Sequence, residues 1–166
     1  MQDPLNQSHS SNLGVVGGSP QITSPSKTPR VIYESSRFRF FSWNVVTMRG
    51  RSSEIVEVLT RREIDLCCVQ ETRWRGSSAR MLLGKNSKYK FYWVGNKEGT
   101  GGVGLVLAEN WIDKVFDVKR YNDRVMLLKL IVGETIVTFL SVYAPQTGLA
   151  DSEKEKFYDL LHDVPI

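Results

Sequence analysis

The chain has 166 residues, 41% of them hydrophobic and 24% charged, with a formal net charge of +4; that length suits one domain and that balance excludes a wholly disordered polymer. Its longest mostly apolar runs, such as 136–142, fall far short of the ~20 residues a membrane helix needs, so no membrane association is expected. The basic excess is local: residues 37–97 hold 13 Lys and Arg against 5 Asp and Glu, whereas 98–166 hold 7 against 11, which suits a polyanionic partner as well as a plain solvated face.

Residues 1–36 are rich in Ser, Thr, Pro, Gln and Asn and lack helical or strand periodicity, so they are expected to form a disordered leader. No basic patch followed by an apolar stretch opens the chain, and an intracellular setting, nuclear or cytoplasmic, is expected. Polar and apolar residues alternate from Arg37 to Trp43, predicting a half-exposed first strand. Ser52 or Ser53 is then placed as the cap of a helix running to about Arg62, with Ile55, Val56 and Leu59 on one face and Glu54 at its positive end. The run Ile64 to Val69 is short and nearly continuous in apolar residues, as a strand covered on both faces would be. Within it Cys67 and Cys68 read as small buried residues pointing to opposite faces.

Strands are predicted at 90–94 and 103–108, separated by the glycine-rich loop 95–102, with a short turn at 111–113. A weak strand at 115–119 precedes strong ones at 124–132 and 135–142, joined by a hairpin at Gly133-Glu134. Ser152 and Glu155 have the spacing of a capping box opening a final helix that carries Phe157, Leu160 and Leu161.

Polar residues stand where the apolar strands stop. Glu71 follows the buried run and emerges at a sheet rim, where ligands are commonly held. Mg²⁺ wants oxygen ligands and takes only one or two protein carboxylates, so Glu71 with the carboxamide of Asn44 forms a candidate metal pair. Tyr143, ahead of Ala144-Pro145, puts a phenol at the end of another strand, able to orient or protonate a phosphate oxygen. Each has a plainer alternative: Glu71 as a cap or surface residue, Asn44 as an Asx-turn former, Tyr143 as a packing residue. The glycines at 99–104 lack a following Lys-Ser/Thr and precede a strand, which excludes a nucleotide-binding loop.

Taken in order, Trp43-Asn44-Val45, Gln70-Glu71-Thr72-Arg73-Trp74, Gly101-Gly102-Val103-Gly104-Leu105, Asp123-Arg124 and Tyr143-Ala144-Pro145-Gln146 resemble the endonuclease/exonuclease/phosphatase superfamily. The resemblance is strongest to the apurinic-endonuclease-like domain of RTE-type non-LTR retrotransposons and to domesticated copies called craniofacial development proteins. It implies an α/β fold, an incomplete four-layer α/β sandwich with mostly one mixed sheet and flanking helices, over residues 37–166. It also implies a Mg²⁺-dependent phosphodiesterase, with Mn²⁺ as a substitute, that nicks DNA. Glu71 and Asn44 would hold the metal and Tyr143 would contact the scissile phosphate, all three being catalytic; Trp74, Arg75, Arg124 and Gln146 would bind substrate. Gln146 departs from the family's Asn at that position, which changes the reach of its amide.

The family's later Gly-Asp-x-Asn and Ser-Asp-His motifs do not occur in these 166 residues. The expectation is therefore a truncated, inactive or weakly active chain, prone to self-association through exposed apolar surface. The alternatives are a non-catalytic nucleic-acid-binding remnant, and a phosphatase or phosphodiesterase of the same superfamily acting on a small or lipid phosphate.

Overall fold

The computed structural model describes residues 37–165, so the expected leader at 1–36 lies outside the described residues. Eight strands and two helices follow in order: β1 (Phe40–Asn44), α1 (Ser52–Arg61), β2 (Leu66–Gln70), β3 (Ser77–Leu83), β4 (Lys88–Val94), β5 (Val103–Ala108), β6 (Val115–Asn122), β7 (Val125–Val132), β8 (Thr135–Val142) and α2 (Asp151–Asp163). A 3₁₀ turn, Glu109–Lys114, bridges β5 and β6. Among the described residues no helix is long and apolar enough to cross a membrane.

The strands divide between two sheets. Five form one sheet in the order β1-β2-β5-β4-β3, in which only β1 and β2 run parallel, and the meander β6-β7-β8 forms the other. The class is mixed α/β with flanking helices, as expected; among the described residues most strands belong to one mixed sheet, and the meander stands beside it as a second.

Burial explains the layering. Leu66, Leu105 and Leu107 of the first sheet meet Met126, Leu128 and Leu130 of the second, all fully buried. The opposite face of the first sheet packs against Ile55, Val56 and Leu59 of α1. The far face of the second sheet gives Val125 and Leu127 to Phe157 of α2. Each layer thus buries an apolar face that would otherwise meet water, at ~25 cal/mol per Å² of apolar area removed. β2, between β1 and β5, is buried along its whole length. Its Cys67 faces the helix side and Cys68 the second sheet, and burial pushes both thiols up to about 12.

The two expected helix caps need correction, and one strand had not been expected. Both helices begin without a side-chain cap, at Arg51 and Ala150. Ser52 and Ser152 are already helical, and Ser52 Oγ donates backward to the Met48 carbonyl at 3.3 Å. β3 was not anticipated, because it is an edge strand on which only Leu82 is buried and its apolar alternation is faint. The hairpin at Gly133 is as expected, with φ +63 at the turn and Val132 paired to Thr135.

Candidate functional site

β1 and β2 run in parallel register and stop together, with Asn44 opposite Gln70. Glu71 therefore leaves its strand beside Asn44. β8 of the second sheet ends at Val142, and Tyr143 follows it toward the same rim. One carboxylate oxygen joins all three: Glu71 Oε1 accepts from Asn44 Nδ2 at 2.9 Å and from Tyr143 Oη at 3.0 Å. Arg73 Nη2 stands 3.6 Å from the other oxygen, and the Glu71 side chain is only 19% exposed.

The hydrogen bond from Asn44 holds the Glu71 carboxyl below the usual range, against the opposing effect of burial and with further help from Tyr143 and Arg73. Tyr143 moves the other way, raised first by burial and then by the Glu71 carboxylate it faces. At neutral pH the pair is a carboxylate accepting from an intact phenol. Asn44 also satisfies its plainer reading, since its Oδ1 accepts from the Val46 amide at 3.0 Å.

The backbone here is strained. Val46 (φ +61), Glu71 (φ +57) and Arg73 (φ +54) are all left-handed, a region costing non-glycine residues ~1–3 kcal/mol each and held only where surroundings over-determine it. The surroundings are on hand. Met48 N donates to the Thr72 carbonyl at 3.0 Å, Thr72 N and Arg73 N donate to Gly102 and Gly101, and Arg49 Nε donates to the Arg73 carbonyl at 2.6 Å. Gly102 permits this approach: it has φ +87, and a Cβ there would lie 2.6 Å from Thr72 Oγ1.

The carboxylate opens onto a cleft of about 590 Å³ whose walls include Arg73, Tyr143, Arg124, Gln146 and Asn96. Arg124 is locked to Tyr143. Its guanidinium lies 5.2 Å from the ring centroid and donates to the Tyr143 carbonyl at 3.2 Å, and its own carbonyl accepts from the Tyr143 amide at 2.9 Å. Of the residues singled out from sequence, Asn44, Glu71, Tyr143, Arg124 and Gln146 are thus brought to one place. Trp74 is not, and Arg75 stays outside the lining while its side chain rests against Gly99, one of the walls. Trp74 packs edge-on against Phe91 and Trp93 in the helix-side core, and the exposed Arg75 gives its carbonyl to Trp93 Nε1. A tryptophan beside a buried strand has more apolar surface to lose in the core than to offer a cleft.

Arg49, Asn96 and Asp123 also line the cleft, unassigned by sequence reasoning. Only Asp123 had a signal, as a member of the Asp123-Arg124 pair; polar residues on loops carry no periodicity. Among the described residues no three His, Cys, Asp or Glu side chains gather as a metal cluster. A single carboxylate is nevertheless within what Mg²⁺ takes from a protein, since it retains several waters; Asn44 presents its Nδ2 to Glu71 and turns its Oδ1 to the Val46 amide.

No family model matches the chain. It is 23% identical over 147 residues to craniofacial development protein 2 of Tragulus javanicus and 25% identical over 123 residues to that of Bos taurus, covering 87% and 73% of this chain. These are the proteins the motif order resembles. The chain spans a quarter or less of the length of these curated relatives. Among solved structures it is similar to an AP endonuclease from Archaeoglobus fulgidus (21% identity, TM-score 0.49, 76% of this chain and 48% of that one). It is also similar to the 3'-5' exonuclease NExo from Neisseria meningitidis (17%, 0.49, 72% and 48%) and to the endonuclease domain of TRAS1, a telomere-specific non-LTR retrotransposon (14%, 0.47, 76% and 53%).

Proposed function

We propose that these residues form the opening part of a Mg²⁺-dependent phosphodiesterase site directed at DNA, of retrotransposon-endonuclease type, and that this chain alone turns over weakly or not at all. The observation that carries the reading is the single Glu71 oxygen shared by a carboxamide and a phenol at the mouth of an arginine-bearing cleft.

Glu71 would hold the cation, and Asn44 would join it by turning its amide so that Oδ1 in place of Nδ2 faces Glu71. When bound, Mg²⁺ neutralises charge developing on a phosphoryl oxygen. Asn44 orients the carboxylate and keeps it ionised. Tyr143 keeps its proton at neutral pH and can turn its hydroxyl from Glu71 to a phosphate oxygen. Arg124 fixes the phenol ring and adds positive charge beside it, and Gln146 offers an amide on the same wall. Weak turnover follows from the absence of the Gly-Asp-x-Asn and Ser-Asp-His motifs, since losing one member of a catalytic unit costs ~10³-fold or more. Two further carboxylates, Glu98 and Asp123, line the cleft, and neither is hydrogen-bonded to Glu71 or Tyr143.

The test is a Mn²⁺ titration followed by NMR of ring-labelled tyrosine, with Tyr143 assigned through Tyr143→Phe. Paramagnetic broadening of Tyr143 that is lost in Glu71→Gln supports the site; equal broadening in both sinks it. A supercoiled-plasmid assay with Mg²⁺ tests the second half of the proposal. Robust nicking abolished by Glu71→Ala would overturn the expectation of weak turnover.

The lack of a gathered acidic cluster favours a second reading, a non-catalytic nucleic-acid-binding module. Its mark is DNA binding that weakens steeply with salt, without cleavage at any Mg²⁺ concentration.

A further inference from the structure

The cleft is built across two sheets, so its geometry depends on what holds their rims together. On the first sheet, Asn96 stands just beyond β4 and uses its whole side chain. Its Oδ1 accepts from the amides of Gly99 at 2.7 Å and Thr100 at 3.0 Å, and its Nδ2 donates to Thr100 Oγ1 at 2.9 Å and to Asp123 Oδ2 at 3.2 Å. Asp123 belongs to the turn between β6 and β7 of the second sheet. The next residue is Arg124, tied to Tyr143 at three points: two hydrogen bonds and the ring contact.

We propose that Asn96 is a positioning residue, a latch that joins the glycine loop of one sheet to the Asp123-Arg124 turn of the other and so sets the spacing between Glu71 and Tyr143. The proposal rests on the reading of that pair as the reactive centre. The chemistry is specific to an amide facing a carboxylate. Asn96 satisfies two loop N–H groups with its oxygen while its nitrogen still donates outward, which an ionised aspartate, an acceptor only, does not. A carboxylate acceptor also strengthens the bond across the sheets relative to a neutral one.

The amide and the acid can be exchanged. In the double variant Asn96→Asp with Asp123→Asn, the new carboxylate accepts the same two loop amides and the Thr100 hydroxyl, and the new amide donates back across the gap. Net charge is unchanged. Asn96→Asp alone leaves two carboxylates facing each other with no donor between them.

The measurement is the Tyr143 ring-carbon chemical shift at about pH 7 in the full chain, assigned with Tyr143→Phe, beside the melting temperature of each variant. Asn96→Ala, which changes no charge, is expected to shift the Tyr143 ring carbons as the rims part and Arg124 leaves the ring face. Asn96→Asp is expected to lower the melting temperature, and adding Asp123→Asn to restore both melting temperature and ring shift. Unmoved Tyr143 ring carbons in a folded Asn96→Ala protein overturn the latch. A double variant no better than Asn96→Asp overturns it too, and decides the matter if Asn96→Ala does not fold. Neither result depends on cleavage or metal binding, so failure of the Mn²⁺ and plasmid tests would sink the functional reading and leave the latch standing.

Discussion

The two sheets open into two clefts of opposite character. At one, loops leaving β2, β4 and β8 bring Glu71, Asn96 and Tyr143 together, and most of their polar atoms are already hydrogen-bonded. At the other, the edge strands β1 and β8, one from each sheet, line a groove with Phe40, Phe41, Phe139 and Val142. Phe40 is 68% exposed, and β1 and β8 each have only one strand partner. The same packing thus yields a polar site where strands end and an apolar, edge-exposed groove where they run. Hydrogen-bonded polar groups resist rearrangement, whereas open edges and bare aromatics invite association.

The largest expected effect lies in the core shared by both clefts. Leu128→Ala removes a fully buried side chain between the sheets and should cost about 2–5 kcal/mol in urea unfolding. A loss below 1 kcal/mol would mean the sheets are not packed as described. Association comes next. The parent chain is expected to self-associate through this groove in sedimentation velocity, and Phe40→Lys to abolish that while leaving Mn²⁺ broadening of Tyr143 intact. If the variant associates as strongly as the parent, the groove is not the contact.

Strain can be relieved on the polar side. Val46 is left-handed, β-branched and 55% exposed, so Val46→Asn loses little packing and should raise stability by about 1 kcal/mol in the same unfolding assay. The smallest effect is on acid stability. The carboxyl of Glu71 is lower in the folded chain than in the unfolded one, so its stabilising contribution is present above the ordinary glutamate value of about 4.3 and is lost as pH falls through the folded value. Glu71→Gln should remove that segment of the stability-pH curve and leave the rest in place; an unchanged acid limb would contradict the Asn44 and Tyr143 hydrogen bonds.

Much of the fold was legible because burial writes periodicity into sequence. β5 and β8 fall on their predicted boundaries, and α1 and β7 within one residue, since their apolar faces repeat at the spacing of helix or strand. β3 was illegible because an exposed edge strand has no apolar face to display. The helix starts slipped by one or two residues, enough to turn an expected cap into a first-turn residue, because cap signals are local.

The sequence alone determined which groups could do chemistry: a carboxylate, an amide and a phenol, each placed just past an apolar strand. Tertiary structure decided that they share one oxygen, that Trp74 belongs to the core, and that Asn96 spans the gap between sheets. The physical reason is range. Strand ends follow from neighbours a few residues away, while hydrogen bonds between residues 27 and 72 positions apart exist only once two sheets have packed and fixed the distance between their rims.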